Sequence, residues 1–133
     1  MLADVLLSPA TDMTCSGASY TSRATSDPFF TREQVVFLAA QYLAGADPTS
    51  VLASPIYADL KGLPPLLVHV GSDEVLLDDS TRLAERARAA GVEVDLKVWD
   101  GMWHDFQRFA GRGVIEGQES IDLIGAFIKK RVG

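Results

Sequence analysis

Cysteine is nearly absent from this chain. Cys15 stands alone, so no intramolecular disulfide can form, and a reducing, cytoplasmic setting is expected. Basic clusters are also scarce. Twelve Lys and Arg face eighteen Asp and Glu, for a net charge of −6, and no basic run occurs before Lys129-Lys130-Arg131. That balance argues against nucleic acid and anionic membrane surfaces as partners. Long apolar runs are missing too. The opening Met1-Leu2-Ala3-Asp4-Val5-Leu6-Leu7 has no basic flank and is broken by Asp4, so it reads as neither a signal peptide nor a membrane span. Ser8 to Ser19 supplies no glycine-rich phosphate loop, which disfavours a flavodoxin-like domain. Neither internal repeats nor low-complexity tracts occur.

What is present fits one domain with a real core: 133 residues, 47% hydrophobic, 23% charged. Val5-Leu6-Leu7 reads as a short buried strand stopped by Ser8-Pro9. Thr11 to Pro28 is polar and aperiodic, a loop longer than compact domains usually carry. Thr31 to Gln34 forms a capping box. Val35, Leu38, Ala39, Tyr42 and Leu43 follow at helical spacing, with Gly45 as the left-handed cap. Asp47 to Leu60 is again loop-like.

Leu66 to Val70 is apolar on both parities, as in a parallel strand covered on both faces. A helix is expected from Asp78-Asp79, capped and favoured by those carboxylates, with Leu83, Ala84, Ala87 and Ala90 inward and Gly91 closing it. Val92 to Trp99 alternates strictly, the mark of a strand with one wet face at a sheet edge. A last helix, Gln118 to Arg131, places Ile121, Leu123, Ile124, Phe127 and Ile128 inward. This order predicts an α/β fold with a parallel sheet and right-handed crossovers. Chemistry on such sheets sits beyond the carboxyl ends of the strands. Glu74 and His104 each follow such an end, on consecutive strands.

The residues that carry a wider likeness are Leu7 to Asp12, Asp27-Pro28-Phe29, Ala53-Ser54-Pro55, Gly62 to Pro65, Gly71 to Asp79 and Gly101 to Phe106. Together they resemble the C-terminal half of the hormone-sensitive-lipase-like α/β hydrolases, the bacterial carboxylesterases and lipases. The resemblance implies a partial α/β-hydrolase fold: the last three parallel strands of the sheet with flanking helices, residues 1–133 forming a single C-terminal portion. In that family the catalytic acid usually stands in Asp-Pro-Leu. Here Glu74-Val75-Leu76 takes its place, with Asp73 as the alternative acid. The family's Gly-Met-x-His-x-Phe turn is met by Gly101-Met102-Trp103-His104-Asp105-Phe106, which implies His104 as the catalytic base.

Two family motifs are missing. The chain has no Gly-x-Ser-x-Gly elbow, and Cys15-Ser16-Gly17-Ala18-Ser19 lacks its flanking glycines. A His-Gly-Gly oxyanion motif is missing as well. The resemblance therefore implies a truncated esterase or lipase unit, inactive alone, acting on a small acyl ester if an N-terminal half completes it. A non-catalytic remnant or interaction module is the alternative. No cofactor and no metal are implied; Asp73, Glu74, Asp78 and Asp79 lack a full oxygen-ligand pattern. His69 reads as a hydrogen-bonded core histidine. Trp99, Trp103 and Phe106 are candidates for an acyl pocket or for plain packing. Self-association is expected through the bare strand near Val5-Leu7.

Overall fold

A central strand with six buried residues organises the molecule. The computed structural model describes residues 3–132; Met1 and Leu2, the start of the N-terminal stretch read above, lie outside the described residues. Strand β1 (Asp4–Leu7), β2 (Leu66–Gly71) and β3 (Val94–Trp99) form a parallel sheet in that order. Asp4 and Val94 flank Leu66 in register, and Trp99 lies beside Gly71. All of β2 is buried, as a strand apolar on both parities must be. Leu66 and Val68 pack with Leu83, Ala87 and Val92 under helix α3 (Leu77–Ala89). His69, of opposite parity, faces helix α4 (Ile115–Val132) through Ser120.

Several sequence expectations meet corrections. β1 is half-buried rather than buried, because it is an edge of the described sheet. Thr11 to Pro28 is a loop for most of its length, as read, but it is packed inward. It contains a short helix, α1 (Ser19–Ser22), and buries Thr11, Asp12, Cys15 and Tyr20. Asp79 Oδ2 accepts the Thr11 and Asp12 N–H groups at 2.8 and 3.0 Å, and Asp78 Oδ2 accepts Ser19 N–H at 3.0 Å. Leu76, not an aspartate, is the N-cap of α3; both carboxylates stand in its first turn and tether this segment.

Helix α2 (Arg32–Leu43) has the expected capping box at Thr31 and Gln34. Ala44, at φ 47°, is its left-handed cap, with Gly45 following at φ 89°. Only Ala39 of its apolar face is buried, and Tyr42 is 68% exposed. β3 starts at Val94 rather than Val92. α4 begins earlier than read, and only part of its expected inward set turns inward: Gly117 and Ser120 are buried and Ile124 and Phe127 half-buried on one stripe, whereas Ile121, Leu123 and Ile128 are exposed. Small residues let the helix approach closely. A Cβ at Gly117 would lie 3.1 Å from the Phe106 carbonyl. Among the described residues no helix is long and apolar enough to cross a membrane.

Candidate active site

The end of β2 builds one half of the site. Glu74 is fully buried in the turn after Gly71. Its Oε1 accepts the Gly71 N–H and the Ser8 hydroxyl, each at 2.6 Å. Its Oε2 lies 3.2 Å from His104 Nδ1. Asp73 is arranged differently. Its carboxylate accepts the Ser72 hydroxyl at 3.1 Å and does not reach the imidazole. Of the two acids read from the sequence, the structure brings Glu74 to His104.

The turn after β3 builds the other half. Ser72 N–H donates to the Trp99 carbonyl at 2.8 Å, and Ser72 Oγ accepts Gly101 N–H at 2.8 Å. Asp73 N–H donates to the Met102 carbonyl at 3.1 Å. The two strand ends are thus stitched together. Gly71 is needed for this closeness: a Cβ there would sit 2.1 Å from the Met102 oxygen. Asp105 then takes a left-handed conformation, φ 53°, and its carboxylate lies 3.5 Å from His104 Nε2. The imidazole stands between two carboxylates. Burial alone would lower its pKa; the Glu74 hydrogen bond, with the charges of Asp105, Glu74 and Asp27, outweighs that and raises it above 6.5.

The polar segment before α2 covers the imidazole. Asp27 Oδ1 accepts the Phe29 and Phe30 N–H groups at 2.8 and 3.1 Å, while Oδ2 accepts Val75 N–H at 2.9 Å. Phe30 meets His104 edge-on, centroids 5.0 Å apart. One residue of the 11–28 stretch therefore ties this segment to the acid-bearing turn.

The sequence model of the alpha/beta hydrolase fold matches residues 1–108. The chain belongs to that family. It is 41% identical over 132 residues to an acetyl-hydrolase of Streptomyces hygroscopicus, covering 98% of this chain and 44% of the relative. It is 41% identical over 106 residues to an esterase of Acinetobacter venetianus, covering 79% and 35%. A solved esterase from the bacterial hormone-sensitive lipase family superposes with a TM-score of 0.97 at 52% identity, over 99% of this chain and 44% of that one. These place the chain among hormone-sensitive-lipase-like α/β hydrolases. The chain spans less than half the length of each of these relatives.

Ser16, Ser19 and Cys15, the nucleophile types in the Cys15-to-Ser19 string, are engaged away from His104. Ser16 Oγ donates to Asp12 at 2.5 Å. Ser19 Oγ donates to the Val75 carbonyl at 2.6 Å and accepts Asp78 N–H at 3.0 Å. Cys15 is buried, and burial pushes its thiol pKa up, away from an activated nucleophile. Asp12, despite burial, is held well below the ordinary carboxylate range by Ser16, Thr14 and Arg82, with Arg82 at 2.9 Å. Among the described residues no three His, Cys, Asp or Glu side chains cluster as metal ligands.

An apolar cavity of about 540 Å³ opens at His104, walled by Met13, Phe30, Leu38, Tyr42 and Leu76. The aromatics read from the sequence do not line it. Trp99 and Phe106 are buried against each other, centroids 5.4 Å apart, and Trp103 packs on Phe109. His69 is a core residue: buried, bonded through Nδ1 to Ser120 Oγ at 2.7 Å, its pKa lowered to about 4 by desolvation and by Lys97.

Sequence reasoning missed Ser8, Asp27, Phe30 and Asp105. Ser8-Pro9 reads in the sequence as a strand stop and as part of the Leu7-to-Asp12 likeness, with no role at Glu74. Nothing in residue type marks a serine that will fold back onto a glutamate sixty-six positions away.

Proposed function

We propose that this chain is the acid–base portion of a serine-type carboxylic ester hydrolase. The observation that carries the reading is the buried Glu74 carboxylate held against His104 Nδ1 at 3.2 Å, at the carboxyl ends of adjacent parallel strands. Family membership and the esterase relatives support it.

Glu74 orients the imidazole and stabilises its charged form. His104 Nε2 takes the proton of a serine hydroxyl as that oxygen attacks the ester carbonyl carbon. The imidazolium then passes the proton to the departing alkoxide. Water repeats the cycle on the acyl-enzyme, releasing the carboxylic acid. The serine comes from a polypeptide segment bearing Gly-x-Ser-x-Gly, a motif outside these 133 residues. Asp105 must leave Nε2 for that hydroxyl to enter. The cavity at His104 suits a small to medium apolar acyl group. The 133 residues alone form no acyl-enzyme.

The test is hydrolysis of a short chromogenic acyl ester by the purified chain. It is run alone, then co-expressed with the nucleophile-bearing portion of a related esterase. Background rate alone, turnover with the added portion, and loss of turnover in His104→Ala support the reading. Turnover by the chain alone that persists in His104→Ala overturns it.

A further inference from the structure

We propose that Ser8 is a positioning residue of this site, its hydroxyl joining the Glu74 carboxylate and the His104 turn into one unit. The inference rests on the acid–base reading of Glu74 and His104.

Three observations carry it. The first is connectivity. Ser8 is 3% exposed, and its Oγ donates to Glu74 Oε1 at 2.6 Å. The same oxygen accepts the N–H of Asp105 at 3.4 Å. One hydroxyl thus touches the acid and the residue next to the base.

The second is backbone conformation. Ser8 holds φ 44°, a region that residues other than glycine rarely occupy, directly before Pro9. Its N–H donates to the His69 carbonyl at 2.8 Å, prolonging the β1–β2 ladder. Two residues beyond Pro9, Thr11 N–H is held by Asp79. The strained residue is fixed from both sides, and the strain aims its side chain at Glu74.

The third is the geometry of the acid. A glutamate carboxylate rotates freely unless its oxygens are tied. Gly71 N–H and Ser8 Oγ both bind Oε1, which sets the carboxylate plane and leaves Oε2 directed at Nδ1. Without the hydroxyl, Gly71 N–H alone holds Oε1. The Asp105 N–H also loses its acceptor, and Asp105 carries the carboxylate beside Nε2. Ser8 touches no reacting atom; it acts through these two neighbours.

The experiment is an NMR titration of the His104 ring in the full 133-residue chain, with Ser8→Ala and Ser8→Gly. Glycine suits the left-handed backbone, so that variant keeps the fold while removing the hydroxyl. Glu74, Asp105 and Asp27 face the ring, and Arg108 and Arg112 line a cavity shared with it. These charges are unchanged in both variants.

The expected result is that the His104 midpoint falls toward its ordinary value in both variants. Asp105 amide exchange should quicken, while the His69 ring keeps the signature of a buried neutral imidazole. A midpoint that stays in place or rises in Ser8→Gly overturns the proposal, since backbone strain alone would then explain Ser8→Ala. If both histidines titrate as in an unfolded chain in both variants, Ser8 serves the fold and the proposal fails. Absence of ester turnover in a completed enzyme would count against the esterase reading and leaves this titration unaffected.

Discussion

Glu74 and His104, thirty positions apart in the chain, meet at 3.2 Å with the carboxylate fully buried and the imidazole half-covered. The meeting is imposed by backbone. Both residues follow the ends of paired strands, and Ser72, Asp73 and Gly101 bond the two turns to each other.

Glu74→Gln should lower the titration midpoint of His104 and destabilise the fold by about 1–3 kcal/mol, since buried donors lose a charged acceptor. Asp73→Asn should leave the midpoint in place. NMR titration and urea denaturation of both variants check this. A completed enzyme should lose about ten-thousandfold in kcat with Glu74→Gln and far less with Asp73→Asn, as expected when the orienting acid is neutralised.

The raised pKa of His104 sets the pH dependence of a completed enzyme. A general base must be neutral, so kcat/KM should rise with pH through a limb lying above 6.5. Asp105→Asn removes one of the charges that raises it and should move the limb to lower pH. A pH–rate profile of the two forms decides.

Gly71→Ala should be among the most damaging small substitutions. The added Cβ would meet the Met102 oxygen at 2.1 Å, and neither backbone can yield without parting the turns. A loss of about 1–3 kcal/mol is expected from overpacking, with loosening of the His104 turn. Urea melts and amide exchange at residues 101–105 report both.

His69 tilts stability in acid. Its folded pKa is lowered to about 4, so the unfolded chain binds the extra proton as pH falls from about 6.5 to 4. Stability is lost across that window, by about 3 kcal/mol relative to a His69→Gln variant. Asp79, pushed up to about 6 by burial, tilts part of the same window the other way, which is why the comparison with the variant matters. His104 acts at higher pH: its stabilisation is present below 6.5 and lost as pH rises through its raised folded value. Urea midpoints from pH 4 to 8 test all three.

The open edge of β1 should make the chain self-associate. Asp4–Leu7 pairs only with β2 among the described residues, and Leu7 is 37% exposed. Sedimentation velocity at tens of micromolar should show a concentration-dependent species that Leu7→Lys reduces.

The central strand was legible because Leu66 to Val70 is a short run, apolar on both parities apart from His69 and bounded by Pro64-Pro65 and Gly71, as a strand covered on both faces is. The placement of Glu74 and His104 followed from strand order and two short motifs. The inward face of α4 was legible only in part. Its apolar residues surround the helix, and close approach at Gly117 and Ser120 decided the phase. The 11–28 stretch misled for a related reason. Its Ser, Thr and Asp residues look solvent-facing, yet Asp79 and Asp78 satisfy its backbone and draw it inside. Long-range side-chain-to-backbone bonds of this kind leave no period in a sequence.

Carboxylates at both ring nitrogens give the imidazole a proton reservoir. A hydroxyl donating to Nε2 displaces Asp105 and requires the neutral ring, so at pH values below the raised pKa of His104 joining the nucleophile-bearing segment would expel a proton into solvent. Assembly would then be a protolytic reaction, tightening as the medium becomes more alkaline and heating or cooling differently in buffers of different ionisation enthalpy.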